Sequence, residues 1–131
     1  MPPSPSLDRT LQEAIRLGAA DLLETDPRDL RAITQRLDGY LVVVLYDAVS
    51  GGAGYATRLT KETGCLASDL FLAARRVLNC PNPDCETSCT RCLNDYSNQR
   101  YWTDFERRPA QAWLEFIMLS AGLNIEPEWD R

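Results

Sequence analysis

The chain predicts an α+β fold: a β-hairpin or small sheet packed with about four helices around a loop of four cysteines. Three observations carry that prediction. An Asp38-Gly39 pair sits between two β-capable runs, apolar stripes at helical spacing lie on either side of them, and four cysteines fall within 13 residues. At 131 residues the chain is one domain's worth, long enough to bury a core without staples.

Met1–Ser6 is rich in proline and serine and reads as a disordered lead. Residues 7–122 read as a single domain, and 123–131 as a loose polar tail. Thr10 and Glu13 read as a T-x-x-E capping box. Behind it Leu11, Ala14, Ile15, Gly18 and Leu22 recur at helical spacing, so a helix is predicted from about Leu7 to Glu24.

Residues 26–46 read two ways. Asp26-Pro27 could cap a second helix with Leu30, Ile33 and Leu37 as its stripe. The preferred reading is a hairpin of Leu30–Leu37 and Tyr40–Tyr46, because Asp-Gly suits a type I′ turn, whose two central residues both need positive φ. The second run, YLVVVLY, is nearly all apolar and is expected to be a buried central strand.

Gly51-Gly52-Ala53-Gly54 reads as a turn, followed by a short helix from Tyr55 to Thr63 that ends at Gly64. Leu66, Leu70, Ala73, Ala74, Val77 and Leu78 mark a strong amphipathic helix. Cys80–Asn98 is irregular. Pro109 suits the first turn of a last helix, with Trp113, Leu114, Ile117, Met118 and Ala121 as its stripe.

Charge and composition exclude several functions. With 14 basic and 19 acidic residues the net charge is −5, which excludes a broadly basic coat for a phosphate backbone and leaves room only for a local patch. The absence of histidine excludes a Ser-His-Asp triad, a Cys-His dyad, an HExxH protease and any His-ligated metal. No apolar run approaches the ~18 residues of a membrane span. The opening hexapeptide lacks the basic and apolar regions of a signal peptide, so a cytoplasmic protein is expected.

The cysteine spacing is Cys80-x4-Cys85-x3-Cys89-x2-Cys92. Thiolates are soft ligands, and four of them suit one tetrahedral zinc with no position left for water. The site is therefore expected to be structural. An iron–sulfur cluster is the alternative; a thioredoxin-like role for Cys89 and Cys92 is weaker, because no strand precedes them. Cys65 reads as a small buried hydrophobe. A zinc with four thiolates carries 2 − 4 = −2 and needs donors around it, for which backbone amides and Arg91 are the nearest candidates.

Two further stretches are candidates. Asp47 and the glycines 51, 52 and 54 link a strand to a helix, an arrangement that can cradle a phosphate. There is no Gly-Lys dipeptide, and the position of a third dinucleotide-loop glycine is Thr57, so a tight structural turn is favoured and Asp47 reads as a cap. In the stretch 96–108, Arg100, Arg107 and Arg108 interleave with Tyr101, Trp102 and Phe105. Arginines with stacking rings hold single strands, so Arg100, Trp102, Arg107 and Arg108 are the candidate nucleic-acid contacts; the favoured reading of the rings is that they fill space between the cysteine loop and the core.

Leu45-Tyr46-Asp47, Gly51-Gly52-Ala53-Gly54-Tyr55, Ser88-Cys89-Thr90-Arg91-Cys92-Leu93 and Tyr96-Ser97-Asn98-Gln99 occur in that order. The whole resembles the zinc-binding C-terminal domain of bacterial DEAD/DEAH-box helicases of the mitomycin-repair type, a domain also found in the helicase-associated protein of the DISARM phage-defence system. The resemblance implies one zinc at Cys80, Cys85, Cys89 and Cys92, and an accessory role in repair or phage defence beside a helicase motor domain or subunit. It implies no ATPase activity on this chain. A single DNA strand is a further expected partner. The rival readings are an enzyme, with a phosphodiester or nucleotide site at Asp47 and the glycine loop, and a protein–protein adaptor.

Overall fold

The computed structural model describes residues 5–38, 40–48 and 66–120. Helix α1 (Pro5–Leu23) begins two residues ahead of the expected Leu7. Pro5 opens it, where a missing N–H costs nothing. Thr10 consequently lies inside the helix and caps nothing of its own. Its hydroxyl donates to the Ser6 carbonyl at 2.6 Å and accepts the Glu106 amide at 3.0 Å, at the entrance to the last helix. The other half of the expected box, Glu13, is buried in a polar network described below.

Glu24 ends α1 in the left-handed region with φ 54. The Thr25 amide returns to the Ala20 carbonyl at 3.0 Å and the Glu24 amide to that of Asp21 at 3.1 Å, a Schellman closure with glutamate where glycine is usual. Asp26 then caps a single 3₁₀ turn, Pro27–Asp29, by accepting the Arg28 amide at 2.9 Å. That turn is all that comes of the helical reading of residues 26–46.

The hairpin is realised as β1 (Leu30–Leu37) paired antiparallel with β2 (Tyr40–Asp47), from Leu30 opposite Asp47 to Leu37 opposite Tyr40. Asp38 at the turn has φ 51, as a type I′ pair requires, and Gly39 lies outside the described residues. The expectation of a buried central strand is corrected here. Among the described residues the sheet has two strands, so β2 is not central. Leu30, Ala32 and Thr34, with Leu45, Val43 and Leu41 opposite, share the face that meets α1. Ile33, Leu37, Tyr40, Val44 and Tyr46 share the other face and stand exposed.

The expected glycine turn at 51–54, the expected helix at 55–63 and Cys65 lie outside the described residues. Helix α2 (Leu66–Leu78) follows its stripe, with Ala73, Ala74 and Leu78 buried. It crosses α1 at Gly18, where an added Cβ would lie 2.9 Å from the Ala74 nitrogen and 3.1 Å from the Ala73 Cβ. Glycine and alanine together let the two backbones approach closely.

An irregular segment leads to a kinked 3₁₀ stretch, Tyr96–Asp104, which begins before the expected end of the loop at Asn98. Helix α3 (Arg107–Ser120) closes the described chain with Pro109 in its first turn. Leu114 and Met118 of its stripe are buried, and Ala121 lies outside the described residues. They join Leu7, Leu11, Ala14, Leu78, Leu93 and Phe105 in the main core, so α1 is the helix around which the other elements gather. The fold is α+β, as expected.

Candidate metal centre

The cysteine loop runs from the end of α2 toward the 3₁₀ stretch. The Cys80 amide bonds back to the Leu78 carbonyl at 3.1 Å, so the first sulfur is placed by the C-terminus of α2. The Cys85 amide turns back on the Asn82 carbonyl at 3.1 Å. Cys89 and Cys92 share a tight turn in which the Cys92 amide bonds the Cys89 carbonyl at 3.1 Å and the Asn94 amide bonds the same oxygen at 3.0 Å.

These turns bring all four Sγ atoms within 4.8 Å of one another. Cys80 and Cys89 are 3.5 Å apart, Cys85 and Cys92 3.8 Å, and Cys89 and Cys92 4.0 Å. Zinc–sulfur bonds of ~2.3 Å at tetrahedral angles place sulfurs ~3.8 Å apart, so the donor set fits one such ion. Amides already point at the sulfurs: Asn82 N lies 3.5 Å from Cys80 Sγ and Cys89 N 3.3 Å from Cys92 Sγ. Without a cation, burial pushes the Cys80 and Cys92 thiols up. Burial acts the same way on Cys89, but hydrogen bonds from the Arg91 amide, Cys80, Asn82 and Cys85 together outweigh it and bring that thiol down to about 7.

The Arg91 side chain is exposed, so only its backbone serves the site as foreseen. The cation that the loop does engage is Arg107. Its guanidinium donates to the Leu78 carbonyl at 3.2 Å and the Cys85 carbonyl at 3.0 Å, and its amide donates to Thr87 at 3.0 Å. One arginine thus ties the C-terminus of α2, a ligand's backbone and the start of α3 together.

Below the loop lies a buried polar network. The Asn98 side chain donates to Leu93 O at 3.0 Å and to Glu13 Oε1 at 2.9 Å, and it accepts from the Asp95 amide and from the Trp102 indole at 2.8 Å. Glu13 also holds Arg16 at 2.9 Å. Arg16 reaches the Pro27 and Leu30 carbonyls and the Ser97 hydroxyl. Leu93 follows Cys92 directly, so the exit of the cysteine loop is hydrogen-bonded through Asn98 to α1. Periodicity missed these residues; the available signal was Gln12, Glu13 and Arg16 on a helix whose apolar stripe is broad.

The structure separates the candidate nucleic-acid residues. Arg107 is buried with its guanidinium on carbonyls, and the Trp102 ring packs against the core with its N–H engaged. Neither is presented to a strand. Arg100 and Arg108 remain exposed. Arg75 of α2 is buried beside Glu115 of α3 at 2.9 Å and is not presented to a strand either. Asp47 ends β2 opposite Leu30, and Gly51, Gly52 and Gly54 lie outside the described residues.

A family model described as the MrfA Zn-binding domain matches residues 11–93, a span that contains all four cysteines. The Druantia protein DruE of Escherichia coli (strain UMEA 4076-1) is 33% identical over 121 residues, covering 83% of this chain. The chain spans 6% of that protein's length. No solved structure matches.

Proposed function

This chain belongs to the MrfA Zn-binding domain family, and from that premise we propose that it is a structural zinc-binding accessory domain of a DNA helicase or phage-defence complex, supporting nucleic-acid handling or subunit docking. The observation that carries the reading is the four sulfurs within 4.8 Å of one another. Four thiolates complete a tetrahedral shell, so the ion organises the loop and activates no water. Cys80, Cys85, Cys89 and Cys92 are the ligands. Hydrolysis of ATP belongs to a motor domain or subunit elsewhere. A thiolate site suits the reducing cytoplasm. Among the described residues no helix is long and apolar enough to cross a membrane.

Metal analysis of the purified chain tests the reading. One zinc per chain is expected, lost in Cys89→Ser and kept in Cys65→Ala. A structural site in isolated fingers supplies ~10–16 kcal/mol of apparent binding energy. This chain has its own core, so chelation is expected to expose amides of residues 80–98 to hydrogen exchange first, with helix content largely kept. Zinc retained by Cys89→Ser and lost from Cys65→Ala would overturn the ligand set.

A further inference from the structure

A cleft of about 470 Å³ opens between α1, the N-terminal half of β1 and the 3₁₀ stretch, away from the cysteines. Its volume falls in the range of ligand sites, ~300–1,000 Å³. Four arginines line it, in a chain whose net charge is −5. Two are paired with carboxylates: Arg16 with Glu13, and Arg28 with Asp26. Arg31 and Arg100 are exposed and face no acid in an ion pair among the described residues. Three tyrosines share the walls. Tyr101 is already covered by the guanidinium of Arg9 at 3.9 Å from its ring centre and that of Arg100 at 4.7 Å. Tyr46 is 41% and Tyr96 78% exposed, so their rings have open surface.

We propose that this cleft binds a single nucleic-acid strand, with Arg31 and Arg100 on its phosphates and Tyr96 and Tyr46 offering stacking surface to its bases. The inference rests on the nucleic-acid part of the proposed function and places it at a site other than the 100–108 stretch. Unpaired planar guanidinium groups bind phosphate oxygens in bidentate fashion. Open aromatic rings accept any base, which favours a strand over an acidic peptide, for which the rings would be idle. The floor is firm, because Arg16 is buried and fixed by Glu13, Leu30 and Ser97.

The test is fluorescence anisotropy of a labelled oligothymidine against the zinc-loaded chain at several salt concentrations. Wild type should bind at low salt. R31E/R100E should bind at least about tenfold more weakly, with a salt slope flatter by about 1.4, since each phosphate contact on a single strand contributes ~0.7. Tyr96→Ala should weaken binding several-fold with little change in slope. R108E, on the exposed start of α3, should bind as wild type does. Zinc content and far-UV circular dichroism of each variant confirm the fold. If R31E/R100E binds like wild type while R108E does not, the cleft is wrong and the nucleic-acid reading survives. No binding by wild type at low salt sinks both. Poly-glutamate of matched charge competing as well as unlabelled oligothymidine would overturn the strand in favour of an acidic segment.

Discussion

Helix α1 and strand β2 are reversed relative to their compositions. β2 is the most apolar run in the chain, yet Tyr40, Val44 and Tyr46 stand exposed on one face. α1 carries Gln12, Glu13 and Arg16 in two turns, yet all three are buried. The reason lies in what surrounds each element. α1 is met by α2, α3, β1 and the 3₁₀ stretch, so nearly every side of it faces protein. Among the described residues β2 pairs with β1 alone and meets α1 on one face, while its other face stands largely exposed. Apolar content describes what an element could bury; the number of neighbours decides what it does bury.

The sharpest way to break this contrast is at Glu13. Its carboxylate is held by Arg16 and Asn98 at side-chain exposures of only a few per cent for the ion pair. Removing one partner of a buried pair leaves the other charge unmet, which costs ~3–5 kcal/mol. Glu13→Ala is therefore expected to lower stability by about that much in chemical denaturation. It should also loosen residues 93–98, because Asn98 loses the acceptor that ties it to α1. A loss near 1 kcal/mol would mean that water reaches Arg16.

Much of the fold was legible because it is governed by local rules. Asp38-Gly39 dictates the hairpin and, through a two-residue loop, its register. The α2 stripe and the four cysteines follow from spacing alone. Thr10 and Arg107 were misread for one shared reason. Each is a polar residue whose sequence neighbours suggest a surface task, while its partner lies far along the chain. Thr10 serves Glu106, and Arg107 serves Leu78 and Cys85. No window of ten or twenty residues contains both halves of such a bond.

Gly18 offers a middle-sized test of how tightly α1 is enclosed. It stands in a helix interior, where Ala would be better by ~1 kcal/mol on propensity alone. Its missing Cβ is replaced by the backbone of α2, with Ala74 N at 2.9 Å and the Ala73 carbonyl carbon at 3.0 Å from that point. Backbone atoms cannot swing aside, so α2 must shift as a body. Overpacking of this kind costs ~1–3 kcal/mol. Gly18→Ala should accordingly give a net loss of about 1–2 kcal/mol, read as a lower denaturation midpoint. A gain in stability would show that α1 and α2 separate freely.

The smallest effect is expected on the outer face of β2, and it tests whether that face is open. Val44 and Leu45 are adjacent and point to opposite sides of the sheet. Val44 is 40% exposed opposite Ile33, whereas Leu45 packs against the cluster of Ala19, Ala20, Leu23 and Leu30. Val44→Thr keeps the shape and the β-branched stiffness that a strand favours, so it should change stability by no more than ~0.5 kcal/mol. Leu45→Thr removes apolar volume from a packed face and places a hydroxyl there, at a cost of ~1–3 kcal/mol. The pair of variants shares a strand, a new residue and a chain context, so their difference isolates the face. Equal losses in thermal denaturation would mean that the outer face is covered in solution, and the reversal between α1 and β2 would then end at the sheet.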